Sequence, residues 1–119
     1  MATRFRVFVK SKIQRPRVTD KNLRYEGSLE LDSALLSAAD IMPGEVIQVV
    51  NVNNGARFET YAIAGPPGSG RCVLNGGAAR LGEVGDELIV MSNVFVPEDA
   101  AAAHRMRKVS VDSSNRIKE

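Results

Sequence analysis

At 119 residues the chain suits one compact domain, and with 44% hydrophobic and 25% charged residues it has the composition of a soluble globular protein. No apolar run approaches the roughly 20 residues of a membrane span, and charges break up the apolar residues of MATRFRVFVK, unlike a secretory signal. A net charge of +2, with four Phe, two Tyr and no Trp, leaves neither the broad field nor the stacking platforms that nucleic-acid binding needs.

In chain order, Phe5 to Val9 has partial period-two character, and Pro16 predicts that a strand ends or becomes an edge there. Thr19-Asp20 is placed to cap a short helical turn through Leu23, and Gly27 permits a backbone conformation other residues resist. Ser28 to Leu31 reads as a strand. Asp32 caps a predicted helix over Ser33 to Ile41, ended by Pro43-Gly44. From Glu45 β signals dominate: Val46 to Val50, a hairpin at Asn53-Asn54-Gly55, and a returning strand from Arg57 to Ile63. After the Pro66 to Gly70 connection come short strands at Cys72 to Leu74 and Leu88 to Met91, separated by Asn75-Gly76-Gly77-Ala78-Ala79. A short helix from Pro97 to His104 and a strand near Val109 to Val111 precede a polar tail expected to fray. Many short strands imply a barrel or sandwich.

Lys10, Lys12, Arg15, Arg17, Lys21 and Arg24 make the first quarter basic, a pattern that ordinarily marks a solvated face. Cys72 alone excludes an internal disulfide framework, and His104 has no neighbours at metal-ligand spacing. A reducing, cytoplasmic setting and no metal are expected. Both residues read as structural.

Tyr25-Glu26-Gly27-Ser28 admits two readings. Gly-Ser is common turn punctuation. A serine hydroxyl can also attack the preceding carbonyl carbon, converting the Gly27–Ser28 amide into an ester, provided the backbone yields and a donor stabilises the oxyanion. Elimination from the ester leaves dehydroalanine at position 28, and hydrolysis turns that into a pyruvoyl group at the head of a second chain. Its ketone condenses with an amino acid's amine and accepts electrons as CO2 leaves, the work that pyridoxal phosphate does elsewhere.

Taken together, Tyr25-Glu26-Gly27-Ser28, Asn53 to Tyr61 (NNGARFETY), Leu74 to Ala79 (LNGGAA) and Val84-Gly85-Asp86 closely resemble the pyruvoyl-dependent aspartate 1-decarboxylases, from about Lys12 to Met91. The resemblance implies a mainly β, double-psi barrel with short helices, assembled as a homotetramer. It implies decarboxylation of L-aspartate to β-alanine, a precursor of pantothenate, on a covalent pyruvoyl group with no metal and no pyridoxal phosphate. Residues 1–27 become a β chain and 28–119 an α chain, unaided or with a maturation factor. By position, Ser28 is the pyruvoyl precursor, Gly27 and Thr60 belong to processing, and Tyr61 is the proton donor. Lys12 and Arg57 hold carboxylate, and Asn75, Gly76, Gly77 and Ala78 line the substrate site.

Two features depart from that pattern. Ser11-Lys12-Ile13-Gln14 has glutamine where the family commonly carries histidine, and Gly77 enlarges a space where alanine is frequent. These keep another small acidic amino acid open as substrate, and an uncleaved, non-catalytic barrel is the alternative from a different class. Strict alternation places Arg57 and Tyr61 on one strand face and Thr60 on the other, so both faces serve only if the strand bends or a neighbouring subunit uses one.

Overall fold

The computed structural model describes residues 3–118. Eight strands form one mixed sheet: β1 (Phe5–Arg17), β2 (Asp20–Asn22), β3 (Ser28–Asp32), β4 (Val46–Asn51), β5 (Arg57–Gly65), β6 (Cys72–Asn75), β7 (Glu87–Pro97) and β8 (Arg107–Ser110). Their order is β2-β6-β3-β5-β4-β7-β1-β8, with β1·β8, β2·β6 and β3·β5 parallel and the other pairs antiparallel. One helix, α1 (Ser33–Ala38), and two 3-10 segments, Gly76–Leu81 and Glu98–Ala103, complete it. This is the mainly β architecture with short helices implied above. No helix among the described residues is long and apolar enough to cross a membrane.

Period-two patterning fills the core. Ile13, Leu29, Leu31, Ile47, Val49, Leu74, Leu88 and Val90 alternate inward from five strands and meet Leu35 and Leu36 of α1. Each such side chain contributes about 1.5–3 kcal/mol relative to exposure. The Asn53-Asn54-Gly55 hairpin forms as expected, with Gly55 at φ 78° and its N–H donating to Asn51 O at 2.8 Å.

Several elements differ from the sequence expectation. β1 runs through Pro16 and is no edge, lying between β7 and β8. Its pairing with β7 slips between Gln14 and Arg17, so Pro16, which has no N–H, sits in a bulge beside Arg15 at φ 70°. The expected helical turn at 19–23 is strand β2 instead. Thr19, the candidate cap, spends its hydroxyl across the barrel, where Cys72 N–H donates to it at 2.9 Å. α1 stops at Ala38, three residues early. Asp40 takes the left-handed conformation at φ 56°, and Ile41 N–H donates to Leu36 O at 2.9 Å, so Ile41 packs into the core without being helical.

β7 is longer than the predicted Leu88 to Met91, because the N-terminal half of β1 pairs with it out to Phe5↔Pro97. The 98–103 segment is 3-10 rather than α-helical. The tail is held rather than frayed. Buried Asn115 exchanges both hydrogen bonds with the backbone of Arg17, at 2.7 and 2.9 Å, and donates to Gly70 O at 2.8 Å. Lys118 N–H donates to Ser110 O at 2.8 Å. Residue 119 lies outside the described residues.

Asp32 ties three segments together. Its carboxylate caps α1 through Ala34 N–H (2.8 Å) and accepts from Gly68 and Gly70 N–H (3.0 and 2.9 Å) in the loop before β6. Burial acts to raise its pKa, but the three N–H donors and Arg116 together hold it below the ordinary value. A lowered folded pKa means stability that is present above the ordinary carboxylate range and lost as pH falls through the folded value. Asp32→Ala is expected to cost about 2–3 kcal/mol at pH 7. The gap from wild type should close in strongly acidic buffer, as read by denaturant titration at several pH values.

Candidate active site

Ser28 opens β3, and its partner across the antiparallel β3·β6 ladder is Asn75. Both are buried. The Asn75 amide donates to Ser28 Oγ at 3.2 Å, and Ser28 Oγ donates to the main-chain carbonyl of Glu26 at 3.0 Å. The hydroxyl is thus dry, oriented, and one rotation from the Gly27 carbonyl carbon. An amide donor beside it can meet developing negative charge.

The glycine that sterics require here is Gly76 rather than Gly27. Gly76 is at φ +65°, and a Cβ on it would lie 2.6 Å from Gly27 Cα, 2.7 Å from Gly27 N and 2.9 Å from Tyr25 O. The 25–27 segment therefore lies directly on the start of the Gly76–Leu81 turn. Gly27 is not in the left-handed region, and a Cβ on it would meet nothing within 4 Å, contrary to the expectation of special backbone there. Gly77 is exposed with nothing within 4 Å of a built Cβ, so within one chain it enlarges no enclosed pocket, while Ala78 is part of the core.

β3 and β5 run parallel with Leu29 beside Ala62. The pairing starts there, so Gly27 and Ser28 precede it in chain order as Thr60 and Tyr61 precede it on β5. Tyr61 Oη donates to Glu26 Oε2 at 3.4 Å. Burial and then the Glu26 charge push its pKa above the ordinary phenol value, so it is protonated at neutral pH. The role of Glu26 is invisible in its motif, because its carboxylate meets a residue 35 positions away, a contact that no local pattern reports.

Alternation on β5 is strict. Phe58 and Ala62 face the core, which puts Thr60 on that side, and Arg57, Glu59 and Tyr61 on the other. β5 pairs with β4 in unbroken register from Arg57 to Tyr61, with no bulge to turn Thr60 to the other face. Arg57 lies four residues from Tyr61, about 13 Å along the strand. Lys12 lies between Met91 and Lys108, three strand spacings or about 14 Å from β5. One chain therefore brings together Gly27, Ser28, Thr60, Tyr61, Asn75 and Gly76, and leaves Lys12 and Arg57 apart from them.

These two cations differ from those closed in local pairs. Lys10 pairs with Glu45 (3.0 Å), Arg15 and Arg17 with Glu87 (2.8 and 3.5 Å), Lys21 with Glu83 (2.9 Å) and Arg71 with Glu30 (2.5 Å). Among the described residues neither Lys12 nor Arg57 has an ion pair or side-chain hydrogen bond, so both are free for an anion. A groove of about 220 Å³ runs beside Arg57, Gln48 and Val50, and one of about 210 Å³ beside Asn75, Tyr25 and Arg71. Gln14 lines a third of about 360 Å³ with Arg15, Arg17 and Ser110. Among the described residues no three of His, Cys, Asp and Glu gather as a metal site. Cys72 is buried, which pushes its thiol up to about 12, and His104 packs on Phe8 with Nε2 3.0 Å from Val9 O.

Comparison with known proteins meets this geometry. The family described as aspartate decarboxylase matches residues 4–118. The aspartate 1-decarboxylase of Syntrophobacter fumaroxidans is 54% identical over 111 residues, covering 93% of this chain and 90% of the relative. That of Geobacillus sp. strain WCH70 is 50% identical over 115 residues (97% and 91%), and that of Staphylococcus epidermidis 49% over 114 (96% and 89%). The crystal structure of a computationally designed protein, msDPBB_sym2, is similar at a TM-score of 0.48 with 18% identity, covering 66% of this chain and 95% of the design. With a serine hydroxyl held against its own preceding peptide and relatives of this kind along nearly its whole length, the chain belongs to the aspartate decarboxylase family of carboxy-lyases.

Proposed function

We propose that the chain cuts itself between Gly27 and Ser28 and then removes the α-carboxylate of L-aspartate, giving β-alanine and CO2. The observation that carries this reading is the buried Ser28 hydroxyl, held between the Asn75 amide and the Glu26 carbonyl, with the Tyr61 phenol on the Glu26 carboxylate. In processing, Ser28 Oγ leaves the Glu26 carbonyl and bonds to the Gly27 carbonyl carbon. The C–N bond then breaks and the Ser28 nitrogen takes up the proton. Thr60, which precedes the β3·β5 pairing as Gly27 does, is placed to assist. Positioning supplies much of the rate, because nucleophile and carbonyl belong to adjacent residues.

These surroundings fit a pyruvoyl group at position 28: a buried position, an amide donor at Asn75 and a close backbone at Gly76. When formed, the group supplies a carbonyl that takes the substrate's amine and accepts electrons as CO2 departs. Asn75 holds the group through its amide, and Gly76 keeps the backbone close. Lys12, a compact cation, and Arg57, a forked donor, bind the two carboxylates. Tyr61 Oη gives its proton to the carbon that loses CO2, and its raised pKa keeps it in the protonated form.

Since Lys12 on β1 and Arg57 on β5 stand apart from Ser28 within one chain, a complete site draws on a neighbouring copy. The β1·β7 ribbon supports assembly: Val7 pairs with Phe95, and Phe5, Val7 and Phe95 are 56%, 60% and 73% exposed. An exposed apolar ribbon fits association of copies, and the family resemblance makes the assembly a homotetramer, matured alone or with a factor.

Intact-mass measurement is expected to give two fragments, 1–27 and 28–119, the larger reacting with hydroxylamine. Ser28→Ala should remain one chain with no decarboxylase activity. Decarboxylation by that variant would overturn the mechanism, and a wild-type chain that stays whole after incubation with host extract would favour a non-catalytic barrel. Tyr61→Phe is expected to be cut normally while kcat drops roughly 10²–10⁴-fold. In a panel of aspartate, glutamate and methylated aspartates, aspartate should give the highest kcat/KM; a better substrate would move the assignment to another acidic amino acid.

A further inference from the structure

Glu26 touches both functional groups of the site. Its main-chain carbonyl accepts the Ser28 hydroxyl at 3.0 Å, and its carboxylate accepts the Tyr61 phenol at 3.4 Å. The residue is fixed from two sides that do not involve the Gly27–Ser28 bond. Gly76 lies against Gly27 and Tyr25, and the turn is closed by Arg24 N–H on Asn22 Oδ1 at 3.1 Å, with Asn22 paired to Asn75 in β2·β6. Apart from the Ser28 hydroxyl contact, which goes when the serine is converted, none of these contacts runs through the Gly27–Ser28 bond.

We propose that Glu26 is a positioning residue which keeps the Tyr61 phenol protonated and aimed at position 28, so that the N-terminal fragment goes on serving the reaction after it is severed. This rests on Tyr61 being the proton donor. The charged groups around the phenol are few. On β5 Glu59 and, farther off, Arg57 share its face; β3 contributes Glu30, which is taken up by Arg71; the turn before β3 brings Tyr25 and Glu26. Along β4 the neighbours are Val46 and Gln48, and Glu45 just before it is engaged by Lys10 and Ser92. Only Glu26 hydrogen-bonds the phenol among the described residues. A carboxylate there disfavours phenolate by like charge and accepts the phenol's proton in a hydrogen bond that phenolate cannot make. Glu59 and Arg57 on the same strand offer charge without that contact.

Tyr61 can be read without turnover. The chain has two tyrosines, so Ser28→Ala combined with Tyr25→Phe is uncut, inactive, and titrates at Tyr61 alone in phenolate ultraviolet absorbance. Adding Glu26→Gln is expected to move the midpoint to lower pH, and Glu26→Asp part of the way. In the cut enzyme the alkaline limb of the kcat–pH profile should move in the same direction, with KM for aspartate changing by less than about twofold. An unmoved midpoint in the Glu26→Gln chain overturns the proposal whether or not the wild type decarboxylates aspartate. A moved midpoint in a protein that shows no decarboxylation supports the Glu26–Tyr61 coupling and faults only the reaction. A midpoint that moves while the kcat limb of the cut enzyme stays put overturns the role after cleavage.

Discussion

The pairing of Ser28 with Asn75 at the head of β3 sets where the Gly27–Ser28 bond lies and what surrounds it. It depends on Gly76, whose left-handed backbone is the only shape that lets residues 25–27 rest on the turn after β6; a side chain there would overlap Gly27 itself. From that contact the hydroxyl is desolvated, the amide donor is placed, and the parallel pairing with β5 begins just past Thr60 and Tyr61. A serine buried without these partners would carry an unmet hydrogen-bonding cost, so the same contacts that arm the hydroxyl also make its burial tolerable.

The barrel then limits what one chain can do. Strand alternation sends Thr60 inward and Arg57 and Tyr61 outward, while strand spacing holds Lys12 three strands away on β1. Neither Lys12 nor Arg57 makes a side-chain hydrogen bond with position 28 among the described residues. A small domain that spends its interior on a core has little concave space left, and grooves shared between copies supply it.

Charge is organised to the same end. Most cations of the basic first quarter are neutralised locally, as Lys10 by Glu45, Arg15 and Arg17 by Glu87, and Lys21 by Glu83. Lys12 is left without an ion pair among the described residues, and Arg57 likewise on β5. What looks in the sequence like a uniform basic face is in three dimensions a set of closed pairs at Lys10, Arg15, Arg17 and Lys21, with Lys12 and Arg24 outside them among the described residues. Asp32 and Asn115 show the complementary principle: buried polar groups with their hydrogen bonds satisfied, clasping the loops and the tail that close the barrel.

Much was legible in the residues themselves. Period-two apolar alternation marked β3, β4 and β5, the Asn53-Asn54-Gly55 turn marked their hairpin, and Asp32 marked a helix start, because each depends on neighbours a few positions away. The motifs around Ser28, Thr60, Tyr61 and Asn75 pointed to the family, since their types and order survive without coordinates. Tertiary structure alone decided the rest. Pro16 is tolerated by a bulge opposite β7, Thr19 bonds Cys72 rather than capping a helix, the tail is clasped through Asn115, and strain belongs to Gly76 instead of Gly27. Glu26 meets Tyr61, and Lys12 and Arg57 stay apart, through pairings between strands far separated in sequence. Local sequence encodes torsional preference and face, whereas register and contact between distant strands are set by the collective packing of the barrel, which no short segment contains.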